Sequence, residues 1–289
     1  MSIEVETSHC QALPPEGRAP ASPLSARQSI PSKTAIHGMT KQLFDRLTIY
    51  EDNIPRSAAT NMAIDEALFL TADCPSIRFY SWDHAALSFG YFGKFDDVAR
   101  YAPNYELVRR WTGGGIVFHG QDLTYCLIIP KNDPAFGRSS NSIYEIIHRA
   151  LCDVLIARGQ RAELAAVAAV YDRRINLSEF IQRPEIARKQ TNTTVADRRY
   201  DSHCFANPVR ADVLVDGRKV AGAAQRRTRQ GLLQQGSIQC DGQTQDLPAE
   251  LARKLSPQSE IRLIDDGIVE RADGIAAEKY GTQAWLRIR

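Results

Sequence analysis

The pair Asp216-Gly217 constrains this chain most tightly. A two-residue type I′ turn needs φ > 0 at both central positions, and Asp-Gly meets that need. The pair therefore predicts an antiparallel hairpin, with Ala211-Asp212-Val213-Leu214-Val215 returning as Lys219-Val220-Ala221-Gly222 and a third strand running on toward Gln239. Small residues crowd the stretch: Ala206, Ala221, Gly222, Ala223, Ala224 and Gly231. Such a density lets something other than a side chain approach the backbone. Cys204 stands at the entrance and Lys219 just past the turn. Pairing of the strands brings the loop of Cys204 near the strand of Lys219. A thiolate attacks thioesters and activated acyl groups, and a nearby cation lowers its pKa. The lysine is equally placed to hydrogen-bond an acyl carbonyl. Against this, a cysteine before phenylalanine also serves as a small buried hydrophobe, and a lysine after a turn as a solvated cation. Spacing alone leaves both readings open.

The 289 residues, 43% hydrophobic and 24% charged, suffice for one large domain or two small ones. A net charge of +2 gives no sign of a general nucleic-acid binder. No apolar run approaches the length of a membrane span. Cys10, Cys74, Cys126, Cys152, Cys204 and Cys240 include no CxxC pair, so neither a zinc site nor a disulfide framework is signalled, and a cytoplasmic location is expected. Residues 1–40 are proline-rich and poor in aliphatics, which reads as a disordered leader without a secretory apolar core. That leaves 41–289 as a single domain.

Along that domain, Phe44–Tyr50 alternates as a strand and Asn61–Leu70 reads as a helix. Asp65 and Glu66 are expected on its solvated face, without a role. Ser76–Trp82 and Ala86–Phe92 are predicted as strands of one hairpin, and Asp96–Tyr101 as one or two helical turns. A strand from Glu106 then runs into Gly113, Gly114 and Gly115 before a further strand to His119. Glycines preceded by Arg109 and Arg110 can bring backbone N–H groups against a carboxylate, a phosphate or an acyl chain; they also mark bends. No Gly-Lys-Ser/Thr follows, so this is not a P-loop. His119 with Asp122 suggests a base, or a hydrogen-bonded pocket wall. Leu123–Pro130 reads as a buried strand, Ser142–Gly159 as the clearest helix, and Ala162–Val170 as a strand or short helix. A long polar loop, 172–203, leads into Cys204. A turn over Asp241–Asp246, a helix over Pro248–Leu255 and the start of another at Ile275 complete the reading.

Taken together, Asn61-Met62-Ala63-Ile64-Asp65-Glu66-Ala67, Arg78-Phe79-Tyr80-Ser81-Trp82, Arg109-Arg110-Trp111-Thr112-Gly113-Gly114-Gly115 with His119, and Gly217-Arg218-Lys219-Val220-Ala221-Gly222 with Ala224-Gln225 and Gly236-Ser237-Ile238 resemble the lipoate–protein ligase and octanoyltransferase superfamily. The resemblance spans about Leu43 to Gln239. It implies an α/β fold of the class II synthetase-like, biotin and lipoyl ligase type: a mixed, largely antiparallel sheet flanked by helices. It also implies an acyl-chain tunnel at the glycine-rich loop, bounded by Arg109, Gly113, Gly114, Gly115, His119, Gly222, Ala223 and Gln225, with Lys219 beside the reacting carbonyl. Cys204-Phe205, upstream of the lysine, resembles the cysteine-dependent octanoyltransferases, which implies Cys204 as nucleophile and no cofactor. Their donor is acyl carrier protein and their acceptors are lipoyl-domain proteins, the glycine cleavage H protein and 2-oxoacid dehydrogenase E2. The alternative within the superfamily is a ligase that activates free lipoate with ATP and Mg. A non-catalytic protein that binds acyl chains or lipoyl domains is a third reading. The leader and the 172–203 loop depart from the family pattern.

Overall fold

The computed structural model describes residues 42–166, 208–239 and 245–288. The expected leader, the polar loop 172–203, Cys204 and most of the Asp241–Asp246 turn lie outside them. In chain order the described elements begin with β1 (Arg46–Glu51), α1 (Ala58–Thr71), β2 (Ser76–Tyr80) and β3 (Ala86–Phe89). After two short 3-10 turns come β4 (Glu106–Arg109), β5 (Val117–His119), β6 (Leu123–Pro130), α2 (Ser140–Ala157) and β7 (Ala162–Leu164). Then follow β8 (Val213–Val215), β9 (Arg218–Arg227), β10 (Gly231–Ile238), α3 (Leu247–Leu255), β11 (Gln258–Leu263), α4 (Asp266–Ile275), a π turn (Ala276–Tyr280) and α5 (Gln283–Leu286).

The Asp-Gly turn forms as its chemistry requires. Asp216 has φ 51° and Gly217 φ 76°, and Val215 sits opposite Arg218. From this hairpin a sheet extends in the order β11-β1-β2-β6-β10-β9-β8-β7. β1 runs parallel to β11 and β2; every pairing from β2 onward is antiparallel. A smaller sheet has the order β4-β3-β5. The expected mixed, largely antiparallel sheet with flanking helices is therefore found. The expected hairpin of β2 and β3 is not. β2 is paired with β1 on one side and β6 on the other, and all five of its residues are buried. It has no free edge to offer β3, which instead founds the small sheet.

α2 shows how the helices attach. Ser139 caps it by accepting from the Ser142 N–H at 3.1 Å, and Gly159, at φ 82°, ends it. Its stripe of Ile143, Ile147, Leu151 and Val154 is buried with α3 against one face of the large sheet. Burying each such side chain contributes about 1.5–3 kcal/mol. On the other face lies α1, nine of whose fourteen residues are buried, Asn61 and Asp65 among them, as suits a helix enclosed on several sides. It packs against α4 and against residues of β4 and β6. The expectation that Asp65 is solvated is wrong: it is 1% exposed, because this helix has no solvent face at that position. Among the described residues no helix is long and apolar enough to cross a membrane.

Candidate active site

Between the middle strands of the large sheet, α1 and the glycine-rich loop lies a cavity of ≈ 200 Å³. Met62 of α1 and Tyr80 of β2 form part of it. Gly114, Gly115 and Val117 contribute the loop side, and Gly222–Ala224 with Gln235–Ser237 the side made by β9 and β10. At Gly222–Ala224, Gly236 and Ser237 the small side chains leave the strand backbone as the wall.

Arg110 shapes the loop. The residue is 5% exposed, and its guanidinium donates to the carbonyls of Gly113 at 3.0 Å and Gly115 at 2.8 Å, and to Ser88 Oγ at 2.6 Å. The loop folds so closely on β3's end that a Cβ on Gly90 would sit 2.1 Å from the Gly114 oxygen. Ser88 Oγ also lies 2.6 Å from His119 Nε2, and His119 Nδ1 lies 2.8 Å from Asp122. Since Ser88 accepts from Arg110, its own hydrogen goes to Nε2. His119 is then the neutral tautomer, donating through Nδ1. Burial lowers the His119 pKa, outweighing Asp122. Burial alone would raise the Asp122 carboxyl, but His119, Ser237 and the Gly120 N–H hold it below its ordinary value. The ring of Trp82 stacks on His119 at 4.0 Å, and its indole N–H donates to Thr124 Oγ1 at 2.8 Å. His119 is thus a fixed wall with both ring nitrogens engaged.

Lys219 enters from β9. It is 8% exposed, and its Nζ lies 2.8 Å from Asp212 Oδ2. The ammonium rests over Gly222, where a Cβ would meet Lys219 Cε at 2.6 Å and Nζ at 2.7 Å. Glycine here makes room for a lysine, so a side chain does approach the backbone. Beneath the cavity, fully buried Arg78 donates to Asp52 at 2.6 Å and to Asp65 at 2.8 Å. Asp65 also accepts from Tyr80 at 3.0 Å and from Gln235 at 2.7 Å. Gln235 in turn accepts from Thr112 at 2.8 Å. This network joins α1, β2, β10 and the loop into one floor.

Of the residues expected at the site, Lys219, Gly114, Gly115, His119, Gly222 and Ala223 line the cavity together. Gly113 serves through its carbonyl, held by Arg110. Gln225 donates to Gln234 at 2.7 Å and Arg109 is buried away from the cavity. The Arg109 guanidinium donates to the carbonyls of Tyr91, Gly93, Trp285 and Leu286. Adjacent strand residues face opposite ways, so the inward arginine is Arg110. Cys204 lies outside the described residues. Sequence reasoning passed over Arg110, Ser88, Asp212 and Gln235 as site residues. For Arg110, the glycine carbonyls that follow it were the available signal.

Known proteins align with this geometry. The lipoyl protein ligase A/B catalytic domain family matches residues 57–268. Octanoyltransferase LipM of Brevibacillus brevis is 33% identical over 219 residues, which cover 72% of this chain and 71% of that protein. A putative lipoate protein ligase from T. acidophilum with bound lipoic acid superposes with a TM-score of 0.60 at 19% identity, covering 84% of this chain and 99% of that one. A bi-partite lipoate protein ligase from Thermoplasma acidophilum, studied with its lipoyl domain, does so with a TM-score of 0.59 at 18% identity, covering 84% and 96%. At these identities the two structures speak for the fold alone. The family match runs past every cavity wall from Met62 to Ser237, and the chain accordingly belongs to the lipoyl protein ligase A/B catalytic domain family.

Proposed function

We propose that the chain transfers an octanoyl group from an acyl carrier protein thioester to a lysine of a lipoyl domain, through an acyl thioester on Cys204. The chain is an acyltransferase by its kinship with proteins named octanoyltransferase. One observation carries the finer reading: a lysine ammonium held at the wall of a cavity whose lining is made largely of glycine, alanine, valine, methionine and aromatic side chains. An apolar cavity of about 150 Å³ holds six-carbon benzene, so one of ≈ 200 Å³ suits an unbranched chain of about eight carbons. At about 0.8 kcal/mol per buried methylene, such a chain gains about 5 kcal/mol without polar contacts.

In the proposed sequence the Cys204 thiolate attacks the thioester carbonyl. Lys219 hydrogen-bonds the oxygen as negative charge develops there. The donor's C–S bond breaks and its thiolate leaves to take up a proton. The acceptor lysine amine then attacks the Cys204 thioester, the second C–S bond breaks, and the amine proton passes to the departing sulfur. Thioester exchange is nearly isoenergetic and amide formation is downhill, so neither ATP nor Mg is required. The acceptors are the lipoyl domains of the glycine cleavage H protein and of 2-oxoacid dehydrogenases.

Intact-mass measurement after incubation with octanoyl-carrier protein tests this. An octanoyl adduct is expected on the enzyme, lost together with transfer in Cys204→Ala. An adduct and transfer that both survive Cys204→Ala reject the relay. Transfer only from free octanoate with ATP places the chain with the adenylating ligases, and binding without turnover makes it a sequestering protein.

A further inference from the structure

We infer that Asp212, itself fixed by Tyr144, is the positioning residue for Lys219. This rests on the reading that Lys219 is the group beside the reacting carbonyl. Four independent features converge on the pair. Asp212 is 0% exposed and its carboxylate has three donors: Lys219 Nζ at 2.8 Å, Tyr144 Oη at 2.5 Å and the Val209 N–H at 2.6 Å. Tyr144 Oη also accepts the Ala223 N–H at 3.1 Å. β8 pairs with β9 only as far as Ala221, so this hydroxyl supplies an acceptor that β8 does not. One oxygen thus ties α2, the Asp212 loop and the cavity strand together.

The third feature is backbone strain. Ala211, with no glycine freedom, sits at φ 67°, a left-handed conformation that a β-carbon disfavours. It is pinned there by His148 Nδ1 on its carbonyl at 2.7 Å and by its own N–H on the Ala165 carbonyl at 2.9 Å. The strained residue delivers Asp212 to the lysine. The fourth is Gly222, whose missing side chain is the space the ammonium occupies. A buried ion pair is a poor device for stability alone, since apolar replacements often serve as well. An ion pair built with strain into a cavity wall serves placement. The other titratable groups nearby are Tyr144 and His148 of α2 and Tyr125 of β6. Burial holds His148 neutral and keeps both tyrosines protonated, so Asp212 is the anion facing Lys219 among the described residues.

The test is chemical labelling of Lys219 in the full chain. Cyanate carbamoylates only the neutral amine, and a buried lysine deprived of its carboxylate gives up its proton more readily. Peptide mass spectrometry at pH 8 should show Lys219 labelled slowly in the native protein, at least about ten-fold faster in Asp212→Asn and several-fold faster in Tyr144→Phe. Octanoyl transfer in Asp212→Asn should fall about 100-fold in kcat with KM little changed. Labelling at the native rate in both variants overturns the inference. Absence of transfer in the native protein overturns the proposed function instead, while the labelling rates still decide the role of Asp212.

Discussion

At the scale of single residues, the site depends on which groups are absent as much as on which are present. Gly222→Ala should leave the melting temperature nearly unchanged, because the new Cβ meets the far end of a flexible lysine. It should cost about 100-fold in transfer rate, since a displacement near 1 Å suffices for that. His148 makes a different prediction. Burial lowers its pKa to about 4, whereas the unfolded chain titrates near 6.5. The native state therefore binds fewer protons, and stability present above pH 6.5 is lost as acid is added toward pH 4. Urea unfolding should show about 2 kcal/mol less stability at pH 5 than at pH 7 from this residue, and His148→Gln should shrink the difference. Lys219 and the glycines were legible because their neighbours in sequence are also their neighbours in space. Asp212 was not, although it lies seven positions before Lys219. A bulge between Val213 and Leu214 and the turned backbone at Ala211 decide where it points, and neither leaves a compositional trace.

At the scale of elements, periodicity predicted most of the sheet. β6 lies over Leu123–Pro130 and α2 within two residues of its expected start, because each combines a strong apolar pattern with a clear stop. The error at β2 and β3 has a physical origin. Short separation favours a hairpin only if the first strand has an open edge, and edge availability is settled by β1 and β6, distant in sequence. β11 was missed because only Ile261 and Leu263 of QSEIRL alternate with polar residues, too short a pattern to read as a strand, and all six positions are exposed. The misreading of Asp65 carries a prediction of its own. Asp65→Ala strips Arg78 of one of its two carboxylates, leaves the Tyr80 hydroxyl without its acceptor and leaves the Gln235 amide only Met62 Sδ. Loss of a partner from a buried charge costs about 3–5 kcal/mol, measurable as a fall in the denaturation midpoint. Glu66→Gln, at a pair with Lys279 that lies nearer solvent, should cost less.

At the scale of the whole molecule, the large sheet ends on one side at β11, where Ile261 is 61% and Leu263 71% exposed. Ile261→Lys should change stability by no more than about 0.5 kcal/mol while reducing aggregation on heating, since charge on an edge strand discourages pairing between copies. A turbidity scan alongside a melt would read both. The opposite behaviour is expected at Arg109, which is fully buried. Truncation after Gly281 removes the Trp285 and Leu286 carbonyls that accept from it and should cost at least about 3 kcal/mol. Those carbonyls lie 176 and 177 positions downstream, so the strand that launches the glycine loop waits on residues made far later. Until that distant segment returns during synthesis, the Arg109 guanidinium lacks these two acceptors, and the final seating of β4 becomes one of the closing events of folding.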